Sequence, residues 1–368
     1  MDRTWARRPD PPTGYRCAGN LLVPLRLTQR RSAGTDSAPA AAPEGVGDLE
    51  AAGRRDQLLD APRRAYREIL GRLRGSVVGH DQVVRRLALA GLQQVMGASG
   101  QRMVLIGPSG VGKTTMVLAL AKALELPSVR VDVSDLAETN WAGRNLSDAI
   151  LDLERQADGD ERRMRRAVVV LDEIDKLGVG GHERSSWSFR RGKQESVLGL
   201  LGGGDVSYGD TYDRRDRTWS AAEALVISAG VFDGLPPGEI IPTDLIEWGL
   251  MAEVVGRLGV ILRLTPPGPE AVREILWREL VAVGAVYDSL GIDLTVTADA
   301  LEALANLATG PAPILDIRSA SRLLRSAAEE ALLQVVEKPW TEVSRAELSA
   351  EDLNVPKAQR TRRHIGFR

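Results

Sequence analysis

Cysteine is nearly absent: Cys17 is the only one in 368 residues. That excludes an intrachain disulfide and a Cys-rich zinc site. Aromatic residues make up 4% of the chain against 43% for all hydrophobic residues, so a core must rely on Leu, Val, Ile and Ala. Neither sign of charge dominates: 48 Lys and Arg face 50 Asp and Glu, for a formal net charge of -2. Such a balance gives no global basic surplus for nucleic acid. Residues 21 to 27 are apolar but short, and Arg26 interrupts them, so they make neither a membrane span nor a signal peptide. These absences point to a cytoplasmic protein with no membrane partner. The length accommodates two or three domains.

What is present is concentrated first between Gly107 and Thr115. Gly107, Pro108, Ser109, Gly110, Val111, Gly112, Lys113, Thr114 and Thr115 fit the G-x-x-x-x-G-K-[ST] phosphate loop. The run Arg102–Ile106 before it reads as a buried parallel strand, and Thr115–Leu124 after it reads as a helix. Glycines allow the backbone to curl so that its N–H groups face phosphate oxygens, and the helix N-terminus adds favourable dipole charge. In this motif Lys113 reaches the β and γ phosphates and Thr114 holds Mg²⁺.

A second motif lies at Ala167–Glu173, where an apolar run suits a central strand buried on both faces. Asp172 and Glu173 then emerge at its C-terminal edge, where α/β sheets bind nucleotides. Asp172 is suited to hold Mg²⁺ through water, and Glu173 to orient and polarise an attacking water. The two motifs together indicate an ATP or GTP hydrolase of the phosphate-loop class. Ala224–Ala229 reads as another buried strand. Ser228 near its end is either a γ-phosphate or water sensor or a structural hydroxyl.

Elsewhere the chain is punctuated by composition. Residues 1 to 31 are locally basic, and residues 32 to 53 are rich in Ala, Gly, Pro and Ser and read as a linker. Helical segments are expected at 63–73, 77–96, 146–156 and 195–201, with a strand at Val129–Val133. The segment 178–220 is polar and glycine-rich and reads as surface loops around its helix. Beyond Pro269 the pattern becomes helical, near 270–286, 298–308, 316–336 and 347–353. The charged run Lys357–His364 reads as a solvated tail.

In order along the chain, these stretches resemble the AAA+ superfamily, most closely its ClpX branch of protein unfoldases. Val77-Val-Gly-His-Asp-Gln82 resembles the adenine-side box, which implies base contacts at Val78 and Gly79. Val168–Leu177 resembles the Walker B segment, and Leu225–Leu235 resembles the sensor 1 strand and the element after it. Val254-Val-Gly-Arg-Leu258 resembles the arginine-finger segment, with Arg257 as the finger. By itself Arg257 would be a solvated helix-end arginine. Anchoring the family's Ala-Leu-Leu group on Ala331–Leu333 places sensor 2 at Arg322, with Arg318 one turn earlier as the other candidate. Asp135–Arg144 resembles the first pore loop, with Trp141, Ala142 and Gly143 at its centre. An aromatic ring grips varied side chains through contact area. The alternative for Trp141 is packing against its own domain.

Two departures stand against the resemblance. No cysteine set exists for the family's N-terminal zinc module. The connection Phe232–Pro242 is short and lacks the apolar tripeptide with which unfoldases dock on a peptidase ring. A caseinolytic-type peptidase partner is therefore not expected.

The resemblance implies an α/β fold, a parallel sheet flanked by helices with a small all-helical lid. The expected division is an arm and linker over 1–63, the ATPase domain over 64–265, the lid over 266–350 and a basic tail over 351–368. It implies ATP and Mg²⁺ as ligands, with Thr114 and Asp172 as metal-holding residues. It also implies a homo-oligomer, a hexameric ring, and an ATPase that unfolds or remodels an unnamed protein client through its pore. Assembly remodelling without threading, a nucleotide-gated scaffold and, from the basic termini, a nucleic-acid motor are the alternatives.

Overall fold

Apolar runs with no polar face must be covered on both sides, and three of them occupy the middle of this fold. The structure is a computed structural model, and it describes residues 46–98, 100–135, 143–178, 187–209, 217–309, 315–337 and 345–353. In chain order, helix α1 (Val46–Ser76) leads to α2 (Asp81–Val95), β1 (Arg102–Ile106), α3 (Lys113–Leu124) and β2 (Ser128–Asp132). Next come α4 (Gly143–Ala157), α5 (Glu161–Arg165), β3 (Val168–Asp172), α6 (Trp187–Leu201), β4 (Asp205–Tyr208) and β5 (Arg217–Ser220). They are followed by β6 (Leu225–Gly230), α7 (Pro242–Trp248), α8 (Ala252–Val255) and β7 (Val260–Arg263). The last part contains α9 (Pro269–Ser289), β8 (Asp293–Val296), α10 (Ala298–Thr309), α11 (Ile317–Val336) and β9 (Arg345–Leu348).

Five strands form one sheet in the order β2-β3-β6-β1-β7, and every neighbouring pair is parallel. Alternate residues serve opposite faces. Met103, Leu105, Val168, Val170 and Ile227 pack with Leu87 of α2 and Met116 and Leu120 of α3. Val104, Ile106, Val169, Leu171 and Val226 pack on the other side with Ile150 and Leu153 of α4 and Leu200 of α6. Burying each such side chain contributes about 1.5–3 kcal/mol. Because all strands run the same way, their C-terminal ends form one rim. The register sets Asp132 of β2 opposite Asp172 of β3, and Leu171 opposite Ser228 of β6. The phosphate loop follows Ile106 on that same rim.

The later helices enclose a separate core of Val272 and Leu276 from α9, Leu304 from α10 and Leu324 from α11. Gly268 and Pro269 start α9, with proline at a position where its missing N–H costs nothing. Asp316 caps α11, its Oδ1 accepting from the Ser319 N–H at 2.7 Å.

Several elements depart from expectation. Helix α1 starts at Val46 and runs through Pro62, so the stretch 46–63 is helical rather than linker. Residues 347–353 are not a helix: β9 pairs in parallel with β8, Asp293 opposite Arg345. The segment 178–220 contains an antiparallel pair, β4 with β5, where loops were expected. The basic stretch over residues 1–31, the linker before Val46 and the tail beyond Leu353 lie outside the described residues. Among the described residues, no helix is long and apolar enough to cross a membrane.

Candidate functional site

Gly107 is where the sheet hands over to the phosphate loop. A Cβ there would sit 2.6 Å from the Leu264 carbonyl oxygen, so only glycine fits. Gly112, at φ 95°, turns the chain into α3. Lys113 is thus the first helical residue, and its side chain is buried. Its Nζ donates to Gly107 O at 2.7 Å and Pro108 O at 2.8 Å. An ammonium has three donors, so one remains for a further acceptor. Burial lowers the Lys113 pKa, against the opposing charges of Asp175, Asp172 and Asp233, while Arg318 reinforces the lowering.

Thr114 follows on α3, and its Oγ1 donates to Asp172 Oδ2 at 3.0 Å. This hydrogen bond brings the two motifs together across 58 residues of sequence. The other carboxylate oxygen, Oδ1, accepts the Glu173 N–H at 3.0 Å. Glu173 has left-handed backbone, φ 56°, which turns its carboxylate out of the strand onto the exposed rim. Burial and then the charge of Asp132 raise its pKa, partly offset by Lys176. A hydroxyl and a carboxylate are hard oxygen donors that suit Mg²⁺, which binds through few protein ligands and keeps water. Beside a buried ammonium on a curled backbone, this donor set fits a metal-bound nucleotide.

The other predicted residues lie at varying distances from this centre. Val78 is half-buried and Gly79 exposed between α1 and α2, and a Cβ on Gly79 would lie 3.8 Å from Ala271 of α9. Ser228 is fully buried in β6, and its Oγ has no hydrogen-bond partner among the described residues. Arg257 follows α8, exposed, and its Nη1 donates to Leu198 O of α6 at 2.7 Å. Arg322 and Arg318 share one face of α11 and are both exposed. Both charges help hold the Asp316 carboxyl below its usual range, after the hydrogen bonds from Ser319. Only Arg318 is among the strongest influences on Lys113. Trp141 and Ala142 lie outside the described residues, while Gly143 opens α4.

Three contributors escaped the sequence reading. Asp316 is one: a Cβ on Gly110 would lie 3.5–3.7 Å from its side chain, so the start of α11 touches the phosphate loop. Its N-cap position before a periodic helix was the available signal. Asp175 is another, the strongest acidic influence on Lys113, with its Oδ1 accepting the Val231 N–H at 3.2 Å. Arg130 of β2 is the third, its Nε 2.9 Å from Asp172 Oδ2. Nothing local to its strand marks it, because the contact depends on sheet order.

A parallel five-stranded sheet with a phosphate loop and a carboxylate pair on its C-terminal rim defines an α/β nucleotide-binding domain of the AAA+ type. Residues 103–209 match the model of the ATPase family associated with various cellular activities (AAA). That span holds most of the phosphate loop's strand and both carboxylates, and it stops before Ser228, Arg257 and Arg322. The chain is also similar to the ATP-dependent Clp protease ATP-binding subunit ClpX from two strains of Porphyromonas gingivalis. Each is 26% identical over 327 residues, covering 75% of this chain and 78% of the relative. The chain therefore carries an AAA ATPase domain with distant similarity to ClpX-like subunits.

Proposed function

We propose that this protein hydrolyses ATP and uses the cycle to unfold or remodel a protein client, acting as a homo-oligomeric ring, by resemblance a hexamer. The observation that carries the proposal is the Thr114–Asp172 hydrogen bond, which joins the two motifs beside Lys113 and Glu173. Bound Mg²⁺ and ATP would supply the transferable phosphoryl group and neutralise its charge. The chain's residues have separate tasks. The loop N–H groups and Lys113 bind and orient phosphate oxygens. Thr114 and, through water, Asp172 hold the metal. The Glu173 carboxylate accepts a hydrogen bond from a water and polarises it, and ionised Glu173 is the form able to do so. Arg257 faces a neighbouring subunit in this reading, where its guanidinium stabilises phosphoryl charge. Arg322, or Arg318 before it, reports nucleotide to the lid, and Trp141, Ala142 and Gly143 grip the client.

A purified preparation tests this by measuring ATP turnover alongside loss of fluorescence from a tagged substrate protein. Both are expected, with unfolding dependent on hydrolysis. Robust turnover with no displacement of any suitable partner would remove the unfoldase reading and leave the ATPase. Capturing clients with Glu173→Gln, which holds ATP, identifies the substrate.

A second reading is complex remodelling without threading and without a peptidase partner. The connection between β6 and α7 favours it. This stretch is short and tied down, with Arg263 Nη1 donating to Gly238 O at 3.0 Å and also to Pro236 O. Trp248 Nε1 adds a bond to Asp233 O at 2.9 Å. Client displacement that needs no free polypeptide end distinguishes this reading. Turnover stimulated by nucleic acid, with salt-sensitive binding, would instead favour a nucleic-acid motor.

A further inference from the structure

Asp172 is held on three sides. Thr114 Oγ1 and Arg130 Nε both lie against Oδ2, at 3.0 and 2.9 Å, and the Glu173 N–H lies against Oδ1 at 3.0 Å. The first and third partners belong to the two nucleotide motifs. Arg130 belongs to neither. It sits on β2, the edge strand next to β3, with Val129 and Val131 on either side buried in the core of the α4 face. Arg130 therefore points to the opposite face, the one that carries α3 and Thr114. Its register partner on β3 is Val170, two residues before Asp172, so the side chain must reach along the strand towards the rim to make the contact. The guanidinium is half exposed while the carboxylate is almost buried, at 51% and 10% of their side-chain surfaces.

That asymmetry has a chemical consequence. A carboxylate offers about four lone-pair positions. Here two take hydrogen bonds, from Thr114 and the Glu173 N–H, and the Arg130 guanidinium adds an ion pair at 2.9 Å. The Arg130 ion pair offsets the charge of the carboxylate on which metal binding depends. Its long, solvated stem can leave without opening the core.

We propose that Arg130 is a built-in counter-ion for Asp172, and that its guanidinium must release Oδ2 before the carboxylate can serve a metal-bound nucleotide. Arg130 is thus a positioning residue that raises the Mg²⁺ concentration at which nucleotide binds. The proposal rests on the reading of Asp172 as a metal-holding residue. It adds that the β2 edge sets the threshold for that role. Release also moves a cation from the acid to the solvent side of the rim, so metal occupancy and the position of Arg130 are coupled.

The test is binding of a fluorescent ATP analogue to the full chain, followed by anisotropy while free Mg²⁺ is varied. Arg130→Met removes the charge and keeps an unbranched stem. It is expected to lower the Mg²⁺ concentration for half-maximal binding roughly two- to fivefold, the range for a partly exposed ion pair. Arg130→Lys keeps the charge and should stay nearer wild type. In excess EDTA, Arg130→Met should bind no more tightly than wild type. Asp172→Asn separates the premise from the proposal. If it raises the Mg²⁺ requirement while Arg130→Met leaves it at the wild-type value, the counter-ion role is wrong. If Asp172→Asn leaves the requirement unchanged, the metal reading of Asp172 fails and the counter-ion role fails with it. Thermal unfolding of each variant, expected near wild type, separates an effect on the site from loss of fold. An Arg130→Met chain that melts early and binds weakly at every Mg²⁺ level would make Arg130 a structural residue and overturn the proposal.

Discussion

Strand β1 has a cation close to each end, half-buried Arg102 at its start and buried Lys113 beyond its last residue, and the two are used in opposite ways. As its first residue, Arg102 spreads its guanidinium over carbonyl oxygens: Nε to Leu201 at 2.9 Å, Nη1 to Ala224 at 2.7 Å and Gln101 at 3.2 Å, and Nη2 to Ala221 at 2.8 Å. Burial lowers its pKa, and no charged group acts on it appreciably. Those bonds tie the end of α6 and the approach to β6 onto β1, across about a hundred residues of chain. After the strand, Lys113 bonds only to carbonyls five and six residues away in its own loop. Burial lowers its pKa as well, but it lies in the field of three carboxylates and Arg318. Withdrawal of a cation from water thus has two meanings. A cation that joins distant backbone holds the fold, whereas one that joins only its own loop, among acids, is available to a ligand.

Substitutions can break or sharpen this contrast, and the largest effect is expected on the rim. Glu173→Gln should reduce kcat by about 10²–10⁴-fold, the usual worth of a positioned general base. Nucleotide affinity and the unfolding temperature should stay near wild type, because the exposed side chain supports no packing. Burial and Asp132 raise the Glu173 pKa above its ordinary value of 4.5. Since the ionised form acts on water, turnover should fall as pH drops through that raised value. The same acidic limb should be missing from the residual activity of the Gln variant. A limb that persists there belongs to another group.

At the other end the expected loss is of stability. Arg102→Met leaves four carbonyls short of a donor, and a cost of about 2–4 kcal/mol is expected, read as a lower urea midpoint. Nucleotide Kd should be unaltered at temperatures where the variant is folded. Lys113→Met should do the reverse. It forfeits a charge-assisted contact to phosphate, so Kd should rise roughly 10- to 100-fold while the urea midpoint hardly moves. If Lys113→Met instead unfolds the chain and Arg102→Met weakens ATP binding, the contrast between the two cations is wrong.

How much of this was legible in the sequence follows the same division. The rim was legible where function compresses information into short spacing. Gly107 to Thr115 specifies a strand end, a left-handed turn and a helix start within nine residues, and Asp172 with Glu173 closes a strand that is apolar throughout. Elements made by distant pairing were not legible. β9 reads as a helix because Ala346-Glu-Leu-Ser-Ala350 has good local helix formers, and pairing with β8 some fifty residues earlier overrides them. The pair β4–β5 was hidden by polar residues on strands that cover only one side. The first half of helix α1 was not legible because glycine and Pro62 interrupt it, although the stretch from Leu49 onward is also rich in Ala, Leu and Arg. Arg130 could not be found at all without the strand order, since its partner lies on a neighbouring strand 42 positions along the chain.

The smallest predicted effect concerns the lid, and it decides between two arginines one turn apart on α11. Register with the ClpX-like pattern selects Arg322. Electrostatics favours Arg318, whose charge is among the strongest acting on Lys113. The two should therefore differ in what they read. Both bear on Asp316, the cap that reaches Gly110, so either substitution perturbs that carboxylate. Arg318 is also the arginine of the two whose charge bears most on Lys113, beside which phosphate would lie. Arg318→Ala is expected to weaken binding of the triphosphate roughly two- to fivefold more than Arg322→Ala does, as befits an exposed charge screened by solvent. The gap should narrow at high salt, because a field effect is screened and a direct hydrogen bond is screened less. If Arg322→Ala is the more damaging variant and its effect survives high salt, a direct phosphate contact by Arg322 outweighs the field of Arg318. The lid would then have to move relative to the loop when nucleotide binds, and the proximity of Arg318 to Lys113 would describe only the state before that movement.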